Sequence, residues 1–182
     1  MLKMKIDNWK KRIDRQFHAG LSDLILIDAR KHPDLLMEKE PVITATNEIT
    51  NFEFCLEPEE VIREEHPPLE EETIERDYIV SCSIKVYEKY LSYDINSRRA
   101  SFVNNYDTED NHCISYFHHY VRNGRYCMNV YVRSMNYRTN FVYDCQTFNK
   151  AYNEVFKRLT EKDQNVKQGY IRVFVFSLHN YL

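Results

Sequence analysis

Two apolar, aromatic-rich runs, Ile114–Val121 and Tyr126–Val132, are separated only by Arg122-Asn123-Gly124-Arg125. Asn-Gly is the pair that best tolerates two successive positive φ angles, so this segment predicts a β-hairpin. Downstream the period changes. Phe148, Ala151, Tyr152, Val155, Phe156 and Leu159 recur at the three- and four-residue spacing of a helix laid against a core. Tyr170–Phe176 then returns as a continuous apolar run, the pattern of a buried strand. Hairpin, helix and strand in that order, without an internal repeat, predict an α+β fold. A mostly antiparallel or mixed sheet would pack against helices.

The upstream half fits that frame. Residues 7–17 are basic and amphipathic, with Trp9, Ile13 and Phe17 four apart on one helical face, able to meet either the sheet or a partner. Leu24 to Ile27 is a short apolar run. Between Val42 and Leu56 the alternation of Phe52, Phe54 and Leu56 predicts a half-buried strand. Residues 57–76 are strongly acidic and proline-bearing, and read as an exposed loop. Ile79, Cys82, Val86 and Tyr90 predict a helix over 74–92, and Ala100–Val103 a strand.

Composition narrows the function. The 182 residues suit one domain, and a hydrophobic share of 43% is ample for one core. A formal net charge of −3 argues against a general nucleic-acid surface, so no direct nucleic-acid partner is expected. No apolar run reaches membrane-span length and the N-terminus lacks the apolar stretch of a signal peptide. A cytoplasmic protein without a membrane partner is therefore expected. Five cysteines without a C-x-x-C pair support neither a disulfide framework nor a zinc knuckle. With only three glycines there is no phosphate-cradling glycine loop. A phosphate here would have to be held by side chains. Abundant Asn, Tyr, Lys and Ile suggest an A+T-rich genome, such as that of a phage or other virus.

Several side chains could do chemistry. Ser97-Arg98-Arg99 is either a solvated surface pair or a phosphate clamp, since guanidinium forks match phosphate oxygens. Cys113 is either a packing residue at the head of a strand or a nucleophile with a cation or base nearby. Arg133-Ser134 adds a fork and a hydroxyl. Asp144 opens the long helix, where an N-cap role competes with ligand recognition. His179-Asn180-Tyr181 follows the last strand.

The order and spacing of these residues resemble the thymidylate synthase superfamily, which includes the deoxycytidylate hydroxymethylases. Asp94-Ile-Asn-Ser-Arg-Arg-Ala is similar to the family's D-P-x-S-R-R-x. Tyr131-Val132-Arg133-Ser134 is similar to Y-Q-R-S, and His179-Asn180-Tyr181 to H-x-Y. Cys113 stands as far before Asn123-Gly124 as the family's nucleophile stands before its own turn. Asn136 falls where the family usually has Asp. The match covers about residues 77–182, with Phe52-Glu53-Phe54-Cys55-Leu56 echoing an early family strand.

The resemblance implies a shortened thymidylate synthase-like sheet packed against helices, and a pyrimidine nucleoside monophosphate as ligand. Arg133 and Ser134 would bind its phosphate, and Arg98 and Arg99 would reach the same phosphate from the second copy of a homodimer. His179 and Tyr181 would hold the sugar, and Asp144 with Asn136 the base. Cys113 would add to ring C6, and methylenetetrahydrofolate would bring the one-carbon unit to C5. Asp144 stands where thymidylate synthases carry Asn. A carboxylate offers acceptors only, which suits the exocyclic amine of cytosine. The family's folate-holding segment and its glutamate have no recognisable copy, and residues 57–76 stand in that place. Residues 1–40 have no identified counterpart. Two readings follow: a C5 one-carbon transferase acting on cytidylate, or an inactive nucleotide-binding or interaction protein on the same fold.

Overall fold

The computed structural model describes residues 6–18, 23–28, 43–57, 70–104 and 113–181. The expected hairpin joins β4 (Ile114–Arg122) to β5 (Arg125–Asn136). Asn123 and Gly124 take φ values of 53° and 68°, as the two centres of a type I′ turn must. The long helix, α3 (Phe141–Lys162), carries the chain back to β6 (Lys167–Tyr181), which pairs parallel with β5. β2 (Ile43–Leu56) lies antiparallel on the other side of β6, and β1 (Asp23–Asp28) pairs with β2. The short β3 (Ser101–Val103) closes the opposite edge. Among the described residues this is a six-stranded mixed sheet in the order β1-β2-β6-β5-β4-β3. The α+β class is as expected.

Helices gather on one face. α3 buries Phe148, Ala151, Tyr152, Val155 and Leu159 of the stripe its period defined, while Phe156 is only partly buried at its edge. α1 (Ile6–His18) packs on the sheet. Trp9 lies 5.9 and 5.7 Å, centroid to centroid, from Phe52 and Phe54, and its Nε1 donates to the Cys55 carbonyl at 2.9 Å. Tyr137 anchors the same helix through its hydroxyl, which donates to Asp14 at 2.8 Å. On the opposite face Tyr131 stacks on Phe174 and meets Tyr116 edge-on, with centroids 4.7 and 5.4 Å away. All three rings are half-buried.

Three neighbouring strands share an irregularity. Core positions normally recur every second residue, but here they jump by three, from Ile49 to Phe52, Val132 to Met135 and Val175 to Leu178. The jumps line up, since Val175 is opposite both Phe52 and Val132, and Leu178 opposite both Ile49 and Met135. Asn51, with φ of 54°, lies within the jump on β2.

Four expectations need correction. α2 (Glu70–Val86) starts inside the acidic stretch, so residues 70–76 are helical rather than loop. Glutamate is a good helix former, and negative charge suits a helix N-terminus. Residues 58–69 lie outside the described residues. The predicted helix ends in a π-helical turn, Tyr87–Leu91, whose extra residue puts Leu91, not Tyr90, into the core. Asp144 is not an N-cap: α3 begins at Phe141, and Asn140 holds that position. Finally, His179 to Tyr181 belong to β6 rather than to a tail behind it.

Candidate functional site

Parallel β5 and β6 end at the same side of the sheet, and antiparallel β4 begins there. That topology collects Cys113, Arg133, Ser134, Asn136 and His179. The backbone N–H of Arg133 donates to the Cys113 carbonyl at 2.7 Å. Cys113 is half-buried against the core and belongs to no disulfide, while the Arg133 side chain is exposed. Ser134 Oγ and His179 Nδ1 share a hydrogen bond of 3.2 Å, a diagonal contact, since Ser134 lies opposite Ser177 and His179 opposite Asn136. Tyr137 N–H donates to the His179 carbonyl at 2.8 Å.

The connection to α3 shapes one wall. Asn136 Oδ1 accepts from the N–H groups of Arg138 and Thr139, at 3.0 and 3.4 Å, so its carbonyl end is committed to the turn. Asp144 sits in the first turn of α3 and is buried, an environment a carboxyl group tolerates only with partners. Asn180 is buried on β6, and Tyr181 pairs with Thr46 of β2.

Arg98 and Arg99 are exposed in the segment that leads into β3. The Arg98 backbone hydrogen-bonds the His118 ring, whose pKa is pushed below its ordinary value, first by burial and then by the nearby Arg122 charge. His118 lies five residues along β4 from Cys113, about 16 Å at roughly 3.3 Å per residue. Within one chain, therefore, the arginine pair stands apart from Arg133.

Asn104 is a site neighbour that the sequence reading missed. Its Nδ2 donates to the Ile114 carbonyl at 3.0 Å, and its N–H donates to the Ser115 carbonyl at 2.9 Å. A single asparagine behind a three-residue strand carries no periodic signal, so nothing in the sequence marked it. Among the described residues no group of His, Cys, Asp and Glu is arranged to hold a metal ion. No described helix is long and apolar enough to cross a membrane.

No protein-family model matches this chain, and no curated protein matches it by sequence. Shape is more informative. Thermostable thymidylate synthase A from Bacillus subtilis overlays with a TM-score of 0.63, across 98% of this chain and 80% of that chain, at 11% identity. The fold is that of thymidylate synthase. The likeness reaches well beyond residues 77–182, where the motif resemblance to thymidylate synthases lies. With so little identity it speaks for the architecture, and the chemistry has to be argued from the residues at the strand ends.

Proposed function

We propose that this chain is a pyrimidine nucleotide C5 one-carbon transferase, resembling a deoxycytidylate hydroxymethylase, with Cys113 as its nucleophile. The observation that carries the reading is the hydrogen bond between the Arg133 N–H and the Cys113 carbonyl. It fixes a thiol-bearing residue beside a guanidinium-bearing one at the open end of the sheet, with the Ser134–His179 pair alongside. A ligand with an anion at one end and an electrophilic ring at the other fits that pairing. Arg133 and Ser134 would take the phosphate, His179 and Tyr181 the sugar, and Asp144 and Asn136 the base.

The step these residues would perform balances simply. The Cys113 thiolate forms a bond to C6, and the C5–C6 π pair moves through C4 onto N3, where a proton neutralises it. C5 then behaves as an enamine carbon and takes up an electrophile, a proton from water in the simplest case. Loss of the original C5 proton, release of the proton from N3 and expulsion of the thiolate restore the ring. Asp144 accepts from the exocyclic amine, which favours cytosine over uracil.

Methylenetetrahydrofolate would supply the one-carbon unit in such a reaction. The stretch that the resemblance assigns to it is reduced to residues 57–69 between β2 and α2, without the family's glutamate in a recognisable setting. The residues present do not fit that cofactor, and no step is routed through it. This shortening favours a second reading, a protein that binds the nucleotide without transferring a carbon. In either case a homodimer, expected from the resemblance, would bring Arg98 and Arg99 of a second copy to the phosphate.

Calorimetric titration with dCMP, CMP, dUMP and inorganic phosphate tests the binding. Cytidylate should bind more tightly than dUMP, and Arg133→Ala should weaken it about tenfold or more, the scale of a lost charge-assisted fork. Equal affinity for dCMP and dUMP would remove the role given to Asp144. Release of tritium from C5, abolished in Cys113→Ser, separates the transferase from the binder.

A further inference from the structure

We propose that Asn104 is the positioning residue that sets where the Cys113 thiol stands, an inference that rests on Cys113 being the nucleophile. The head of β4 is irregular. Its ladder to β3 runs from Ser101 opposite His118 to Val103 opposite Tyr116 and continues in the same register to Asn104 opposite Ser115, while its register against β5 shifts between Ile114 and Tyr116. An extra residue at such a place leaves a carbonyl outside the regular ladder. Here it is that of Ile114, between two that backbone N–H groups hold. Arg133 N–H holds the Cys113 carbonyl from the β5 side at 2.7 Å. From the β3 side Asn104 holds the next two, Ile114 through Nδ2 at 3.0 Å and Ser115 through its N–H at 2.9 Å.

The clamp acts on direction. Swinging the peptide after Cys113 would break the Arg133 bond, and swinging the next would break the bond to Asn104 Nδ2. The thiol is therefore fixed relative to the same Arg133 backbone that carries the anion-binding side chain. Addition to a ring carbon needs sulfur within about 3.5 Å along a defined approach, and a drift of about 1 Å costs roughly a hundredfold in rate. The side chain at position 104 must also donate. Aspartate has nearly the same shape, but its carboxylate would set an acceptor against the Ile114 carbonyl.

The test compares the full chain with Asn104→Asp and Asn104→Ala. Iodoacetamide labelling of Cys113 is followed by peptide mass spectrometry, with Cys55, Cys82, Cys127 and Cys145 as internal references, beside dCMP calorimetry and C5 tritium release. Labelling at Cys113 should change about fivefold or more and tritium release should fall about tenfold. The reference cysteines and dCMP affinity should stay within about threefold, because misplacement of one group is local. Labelling of Cys113 within about twofold of wild type, or a parallel rise at all five cysteines, would overturn the role, since the second outcome marks general loosening. Amide exchange in the wild type keeps the idea testable if both variants fail to fold. The Arg133 N–H should be protected, and exchange at an open-loop rate would overturn the clamp. A wild type that binds no nucleotide, with Cys113 still responding to position 104, would sink the nucleotide reading and leave the clamp. Nucleotide binding with an indifferent Cys113 would do the reverse.

Discussion

β5 and β6 run side by side, yet their two ends are built in opposite ways. At the N-terminal end the strands close around aromatic rings. The Tyr126 and Tyr152 rings meet at a tilt with centroids 4.4 Å apart, and the Tyr152 hydroxyl donates to the Tyr126 carbonyl at 2.8 Å while accepting from Gly169 N–H at 3.0 Å. The Tyr126 hydroxyl is hydrogen-bonded to His119 Nδ1 at 2.6 Å, and both residues are fully buried. At the C-terminal end the aligned jump in core spacing leaves Arg133 exposed and Ser134 and His179 half-buried. The closed end breaks the ladder between Tyr126 and Met128 and brings two backbones together around a phenol, whereas the open end keeps its register and presents polar side chains. Polar groups of similar chemistry are thus buried in the packing at one end and open to solvent at the other.

The sharpest way to break the closed end is Gly169→Ala. A Cβ there would lie 2.3 Å from the Tyr126 carbonyl oxygen and 2.4 Å from Cys127 Sγ. One of those atoms is backbone, so a side chain cannot simply move aside. The expected loss is about 3 kcal/mol or more, at the upper end of overpacking effects. Urea unfolding measures it. A loss below about 1 kcal/mol would show that the strands can part there at little cost, and the contrast between the ends would fail.

Acid comes next in size. Burial, with a smaller contribution from His118, pushes the pKa of His119 down to about 3. In the unfolded chain the imidazole returns to about 6.5. Between those values the unfolded state binds a proton that the folded state refuses, so stability falls as pH falls below about 6.5 and is flat above it. The slope should approach 1.4 kcal/mol per pH unit, or roughly 2 kcal/mol lost at pH 5. His119→Gln should flatten the curve over that window relative to wild type. An unchanged slope would mean that His119 is not held neutral by the fold.

What could be read in advance followed periodicity. The Asn-Gly hairpin and the α3 stripe were legible because turn chemistry and a helical repeat are local. The full length of β6 was not, because its core positions jump from Val175 to Leu178 and the alternation that marks a strand is lost where the site begins. The π-helical turn escaped for a similar reason, one extra residue moving Leu91 into the place expected for Tyr90. Trp9, Ile13 and Phe17 announced an apolar helix face but not the surface it meets, which Phe52, Phe54 and Tyr137 supply from far along the chain. At the site, residue types and order were visible, whereas the Asn104 bonds and the Ser134–His179 pair depend on strand register. Register is a tertiary fact.

The smallest stability effect belongs to the open end, and it completes the contrast. Arg133 is exposed, on a strand whose neighbouring positions Val132 and Met135 already supply the buried anchors. Its backbone N–H, which holds the Cys113 carbonyl, survives any side-chain substitution except proline. Arg133→Ala should therefore change unfolding free energy by less than about 0.5 kcal/mol, as surface substitutions usually do. The same variant should lose most of its nucleotide affinity. That split, a large binding loss beside a negligible stability loss, is what a ligand-facing guanidinium predicts and a structural one does not. A stability loss of about 2 kcal/mol would instead make Arg133 part of the fold's support, and the two ends of β5 and β6 would then differ in exposure only.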